Sequence, residues 1–124
     1  METKVIEGTE EIPRIVLDKK NNRFEFSGKS LLEDARTFYH PILDWVDRYS
    51  KEPNKKTEVI YKFNYFNTSS SKILLDILRK FNDIHEKGHD IQIHWYYTED
   101  DEDMLEAGEI YAEKVKVPFK FINY

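Results

Sequence analysis

The sequence predicts an α/β domain built on one mixed sheet, in which an N-terminal β-hairpin precedes an α-β-α-β-α-β succession with the helices packed on the sheet. Two short runs near the N-terminus, Ile12 to Leu17 and Arg23 to Gly28, flank the polar turn Asp18-Lys19-Lys20-Asn21-Asn22, the pattern of a hairpin. Further on, three segments carry apolar residues at spacings of three and four, which is the period of an amphipathic helix. β-branched and aromatic runs separate and follow those segments. Successive strand–helix–strand units imply right-handed crossovers and mainly parallel pairing. The hairpin adds an antiparallel part. At 124 residues the chain has the size of a single domain, 1–124, and should bury roughly two-thirds of its unfolded surface.

The elements follow in order. Met1 to Glu11 is polar, acidic and aperiodic apart from Val5-Ile6, and reads as an irregular end or a short edge segment. Ser30-Leu31-Leu32-Glu33 has the spacing of a capping box. Beyond it Leu31, Ala35, Phe38, Ile42, Trp45 and Tyr49 form one helical stripe. Pro41 lies inside that stripe and has no backbone N–H, so a kink or a fresh start near Tyr39-His40 is expected. Ser50 to Lys56, with Pro53, is a loop. Thr57 to Phe66 is a strand with Val59, Tyr61, Phe63 and Tyr65 on one face and Ile60 and Phe66 beside Lys62 and Asn64 on the other. Apolar residues on both faces predict a central strand covered on both sides. After the small polar run Asn67 to Ser71, a helix carries Ile73, Ile77, Phe81 and Ile84, with Leu74 and Leu78 alongside; Gly88 is its natural stop. Asp90 to Thr98 is a strand presenting Ile91, Ile93, Trp95 and Tyr97 together. A third helix has Met104, Gly108, Tyr111 and Val115 inward, and Pro118 starts the last strand, Phe119 to Ile122.

Composition excludes several classes. The absence of cysteine removes disulfides, thiolate metal sites and a thiol nucleophile. Charged residues make up 35% of the chain, and no apolar run approaches the ~20 residues that span a bilayer. Met1 to Glu7 lacks the basic-then-apolar order of a signal peptide; cytoplasm is the expected location. Net charge is −5 and the lysines are scattered among acids, so the basic face that nucleic-acid binding needs is missing. The histidines His40, His85, His89 and His94 form no metal-binding spacing. No glycine-rich phosphate loop or nucleophile elbow occurs. No cofactor is implied.

Two polar features remain. The acidic run Glu99 to Asp103 suits a helix N-terminus, with a docking patch for a basic partner or a weak cation site as alternatives. Asn67-Thr68-Ser69-Ser70-Ser71-Lys72 stands where a central strand hands over to a helix, the edge of an open α/β sheet at which ligands and modifications act. A phosphoryl group there would add roughly −1.5 to −2 of charge beside helix amides that tolerate an anion. The plain alternative is that one of these residues only caps the helix.

Four stretches resemble the SiaC family of bacterial regulatory phosphoproteins. They are Pro13-Arg14-Ile15-Val16-Leu17-Asp18, Phe38-Tyr39-His40-Pro41-Ile42-Leu43-Asp44-Trp45 through Tyr49, Phe63 through Lys72, and Asp100-Asp101-Glu102-Asp103-Met104-Leu105-Glu106-Ala107-Gly108. The third is the most specific. The resemblance implies a STAS-like fold and a signalling protein acting as a partner switch, not an enzyme. It implies a phosphoacceptor at Thr68, with Ser69, Ser70 and Ser71 as alternates, and partner contacts across Asn67 to Lys72. The implied partners are a Ser/Thr kinase with a histidine-kinase-like ATPase fold, a PP2C-type phosphatase, and a diguanylate cyclase bound by the unmodified form, which links the switch to cyclic-di-GMP and biofilm formation. Two other readings stand beside it: a constitutive binding module in which Thr68 is a cap, and a small enzyme using residues such as His94 or Asp100. Whether phosphate blocks or creates docking, and the oligomeric state, stay open at this level.

Overall fold

A computed structural model describes residues 1–124. Strands β1 (Lys4–Ile6), β2 (Arg14–Asp18), β3 (Arg23–Ser30), β4 (Lys56–Phe66), β5 (Asp90–Tyr97) and β6 (Phe119–Asn123) are joined by helices α1 (Ala35–Tyr49), α2 (Thr68–Glu86) and α3 (Glu102–Lys114), each helix filling one of the last three strand-to-strand crossings. All six strands form one sheet, ordered as they occur in the chain. β1, β2 and β3 pair antiparallel; β3 through β6 pair parallel.

That order decides where the helices go. Each right-handed crossover steps to the next strand in the same direction, so all of them cross the same face. Packing agrees: Tyr49 of α1 meets Phe24, the Tyr61 hydroxyl donates to the Leu74 carbonyl of α2 at 3.0 Å, and Trp95 Nε1 donates to the Met104 carbonyl of α3 at 2.9 Å. Phe24, Tyr61 and Trp95 share one face by register. The expectation of cover on both sides of β4 is therefore corrected. Thr57, Val59, Tyr61 and Phe63 are buried, whereas Glu58, Ile60 and Lys62 are half-buried and Asn64 is exposed. Ile60 lies opposite His94 on an uncovered face.

Of the two readings of the N-terminal segment, an irregular end or a short edge segment, the structure shows the second: β1 is an edge strand. β1 pairs Val5 with Val16. Ahead of it, the Glu2 carbonyl accepts from Trp45 Nε1 at 2.8 Å, and the Glu2 carboxylate takes both Arg48 nitrogens, at 2.6 and 2.9 Å. Arg48 draws the Glu2 pKa down to about 2. Tertiary partners on α1 tie this end down.

The capping box at Ser30 does not form. Ser30 is the last residue of β3 and is wholly buried. α1 starts at Ala35, and Asp34 caps it by accepting from the Thr37 amide at 3.2 Å. Leu31 consequently lies outside the helix and is exposed. α1 runs unbroken through Pro41. One missing N–H there is outweighed by the burial of Tyr39, Ile42, Trp45, Val46 and Tyr49 along the same face.

Candidate functional site: the head of helix α2

β4 delivers the chain to α2 through a bulge. Gly28 is paired with Phe63 but Lys29 with Tyr65, so Asn64 is an extra residue in β4. Gly28 adopts φ +88°, a conformation open to glycine at little cost. An extra residue inverts the alternation that follows it. Tyr65, expected to point with Tyr61 and Phe63, is therefore turned out and 57% exposed. Phe66 turns in, stacked on Tyr111 and edge-on to Trp95.

Asn67 is the N-cap of α2. Its backbone is extended and its side-chain oxygen accepts from the Ser70 amide at 2.9 Å. Its Nδ2 donates to the Leu32 carbonyl at 3.0 Å, and its amide to the Ser30 carbonyl at 3.0 Å. The alternative in which Thr68 caps the helix is thereby corrected: Thr68 is already the first helical residue. The Thr68 and Ser69 amides precede any intrahelical acceptor.

The hydroxyls that follow have different surroundings. Ser70 is wholly buried; its Oγ donates to the Ser30 carbonyl at 3.0 Å and accepts from Ser30 Oγ at 2.7 Å, and Ser30 Oγ also meets the Tyr39 hydroxyl at 2.8 Å. Ser69 Oγ donates to the Glu33 carbonyl at 3.2 Å. Ser71, half-buried, bonds the Tyr111 hydroxyl at 2.9 Å, and that hydroxyl donates to the Ser71 carbonyl at 2.6 Å. Thr68 is exposed, and its hydroxyl has no partner in the protein. Burial lifts the pKa of Tyr39 far above its usual range and pushes Tyr111 up to about 12, so both act as neutral hydroxyls. The first turn of α2 contains no acid, and Lys72, one turn on, is exposed.

The flanks differ in charge. On one side Asn64, Tyr65 and Phe66 form a shallow groove with Asp101, Asp103, Met104 and Ala107 of the α3 end. Asp101 caps α3 by accepting from the Met104 amide at 3.0 Å, while Glu102 and Asp103 fill its first turn, where acids favour the macrodipole. On the other side Asp34, Arg36, Ser69 and Lys72 line a second depression. No group of His, Cys, Asp and Glu is placed to hold a metal ion. The histidines stand apart from this edge. His40 faces Asp44 at 3.5 Å, and His94 lies 3.0 Å from Gln92 on the open sheet face. His85 and His89 flank the stop of α2, roughly 25 Å along the helix from Thr68.

A family model described as SiaC family regulatory phosphoprotein matches residues 6–124. The chain belongs to the SiaC family. It is 30% identical over 114 residues to an uncharacterized protein of Pseudomonas aeruginosa, a match that covers 92% of this chain and 90% of that one. Among solved structures it resembles SiaC of Pseudomonas aeruginosa with a TM-score of 0.90 at 27% identity, over 100% of both chains. It also resembles SiaC in the structure of the diguanylate cyclase SiaD in complex with its activator SiaC from Pseudomonas aeruginosa, with a TM-score of 0.90 at 28% identity over 98% of this chain and 99% of that one. The mixed sheet with helices packed on it is thus the fold of SiaC. SiaC proteins are regulatory phosphoproteins, and the SiaC seen with SiaD is the activator of that enzyme. No helix of this SiaC-family chain is long and apolar enough to cross a membrane.

Sequence reasoning pointed to the Asn67–Lys72 segment as the candidate but not to what organises it. The sequence reading put the cap on Thr68; the preference of asparagine for N-caps is the signal that would have placed it one residue earlier, on Asn67. The bulge had a faint signal in Gly28. The Ser30–Ser70–Tyr39 cluster had none, since Ser30 and Ser70 are forty positions apart.

Proposed function

We propose that residues 1–124 act as one domain that is a reversibly phosphorylated partner switch, with Thr68 as phosphoacceptor and a diguanylate cyclase as the target of the unphosphorylated form. The observation that carries this is the isolation of Thr68: of the hydroxyls at the head of α2, it alone is exposed and unpartnered. Family membership and the activator role of SiaC toward SiaD supply the context.

The transfer is simple in its atoms. Thr68 Oγ1 attacks the γ-phosphorus of a nucleoside triphosphate held by a kinase, of the histidine-kinase-like ATPase class that the family implies. The hydroxyl proton passes to a base of the kinase, and the bond to the departing nucleoside diphosphate breaks. A PP2C-type phosphatase reverses the state: water attacks the phosphorus, the bond from phosphorus to Thr68 Oγ1 breaks, Oγ1 regains a proton from that water, and inorganic phosphate leaves. The product anion stands beside the Thr68 and Ser69 amides, at the positive end of the α2 dipole. Lys72 lies at i+4 on the same helical face. The fold therefore accommodates the charge without rearranging. The change falls on the surface, where Tyr65 and the groove under Asp103 lie on one flank and Lys72 and Arg36 on the other. A partner seated on Asn67 to Lys72 would meet about two new negative charges and the bulk of a phosphoryl group, so phosphate blocks docking.

Mass spectrometry of the protein from its host, with and without phosphatase treatment, should place a phosphate on Thr68. In calorimetric titrations with the host's diguanylate cyclase, Thr68→Ala should bind as the unphosphorylated wild type does. The phosphorylated wild type should bind at least tenfold more weakly. Equal affinity of both forms would make the protein a constitutive binding module, and tighter binding of the phosphorylated form would invert the sign of the switch.

A further inference from the structure

We propose that Tyr111 is a specificity-determining residue: its hydroxyl clasps Ser71 and withholds from phosphoryl transfer the other serine or threonine hydroxyl of the first turn that shares a helical face with Thr68. The inference rests on the reading of the α2 head as the phosphoacceptor site and names what restricts it to one residue.

Helix geometry makes the restriction necessary. Residues three apart lie on the same face of a helix, so Ser71 is the neighbour of Thr68 toward any kinase approaching that face. Ser69 is rotated away and tied to the β3–α1 loop through the Glu33 carbonyl. Ser70 points inward to Ser30 and has no exposure. Ser71 is only half-buried, and burial alone does not withhold it.

The clasp has a defined proton arrangement. The Tyr111 hydroxyl has one hydrogen, and it is donated to the Ser71 carbonyl at 2.6 Å. The contact of 2.9 Å between Ser71 Oγ and the same hydroxyl must then run the other way, with Ser71 donating and the phenolic oxygen accepting. Both bonds end on one residue, so backbone and side chain of Ser71 are fixed together. To act as a nucleophile, Ser71 Oγ would have to surrender that bond, rotate outward and aim a lone pair at the γ-phosphorus of the kinase-bound nucleoside triphosphate. Thr68 has no such bond to break.

Tyr111 is itself held. Its ring stacks on Phe66 with an interplanar angle of 17° and meets Trp95 edge-on at 88°. Gly108, one turn before it, lets α3 lie directly against Trp95. Burial pushes the pKa of the Tyr111 hydroxyl up to about 12, so the donor to the Ser71 carbonyl persists throughout the physiological range.

The test is a phosphosite map of four chains expressed in the host: wild type, Thr68→Ala, Tyr111→Phe and the double variant. Phenylalanine keeps the ring and its stacking and removes only the hydroxyl; circular dichroism and a thermal melt check the fold. We expect phosphate on Thr68 alone in the wild type and none on the Thr68→Ala chain. It should be shared between Thr68 and Ser71 in Tyr111→Phe, and lie on Ser71 in the double variant. Phosphate on Ser71 of the Thr68→Ala chain overturns the clasp, and so does a folded double variant with Ser71 bare. A wild type without phosphate on any residue overturns the reading of the α2 head itself, and the clasp with it. Independently of any substitution, NMR of the wild type should show a slowly exchanging Tyr111 hydroxyl proton; exchange at the rate of a free phenol overturns the clasp.

Discussion

Asn67→Ala and Thr68→Ala, adjacent substitutions at the head of α2, should have opposite consequences for stability and regulation. Asn67 accepts from the Ser70 amide at 2.9 Å as the cap and donates to the Leu32 carbonyl at 3.0 Å. Loss of a cap of this kind costs about 1 kcal/mol, and the second hydrogen bond adds about 1 kcal/mol. The sum of about 2 kcal/mol would lower the melting temperature of a domain this size by roughly 6–10 °C. Thr68 makes no such bonds and is exposed, so its replacement should stay within about 0.5 kcal/mol of wild type. Urea denaturation of the unphosphorylated proteins, fitted with a common slope, gives both differences directly. Phosphorylation by the host kinase, by contrast, should be abolished in Thr68→Ala and retained in Asn67→Ala below its melting temperature. If Thr68→Ala costs 1 kcal/mol or more while Asn67→Ala is neutral, the cap is misassigned and Thr68 is a structural residue after all.

Two further outcomes follow from the core. A Cβ on Gly108 would stand 2.5 Å from Trp95 Nε1 and 2.6 Å from two ring carbons of a side chain that is 1% exposed. Overpacking of about 3 kcal/mol outweighs the gain of about 1 kcal/mol from replacing a helical glycine, so Gly108→Ala should unfold at lower urea; unchanged or higher stability would refute the close approach. At high pH, burial raises the pKa of Tyr39, Tyr49, Tyr61 and Tyr111, the last to about 12 from an ordinary 10.0. A group whose folded pKa is raised contributes stability that is complete below the unfolded pKa and lost as pH climbs toward the folded one. Unfolding free energy should therefore fall from about pH 10 upward, with phenolate absorbance at 295 nm from these tyrosines emerging only with unfolding; their titration near pH 10 in the folded protein would refute the burial.

Local sequence determined most of the elements and the faces of their regular stretches. Period-two and period-3.6 patterns are written in neighbouring residues, so α2, α3 and strands β2 to β6 follow from side-chain spacing and turn residues alone. The Asn67–Lys72 segment was legible as a candidate site for the same reason: a small polar run between a strand pattern and a helix pattern marks the edge where the chain turns over. What only tertiary structure decided depends on residues far apart in the chain. The ordering of β1 comes from Trp45 and Arg48 reaching Glu2, not from any pattern in the first residues. Ser30 reads as a cap by local spacing, but burial against Tyr39 and Ser70 is the arrangement that satisfies its hydroxyl. The open second face of the sheet follows from three crossovers stepping in one direction. One extra residue at Asn64 reversed Tyr65 and Phe66, because side chains alternate along a strand and a single insertion exchanges inside for outside. The sequence marked the hydroxyls at the head of α2. Which of them is free was settled by hydrogen bonds to Ser30, Glu33 and Tyr111, partners that only folding brings within reach.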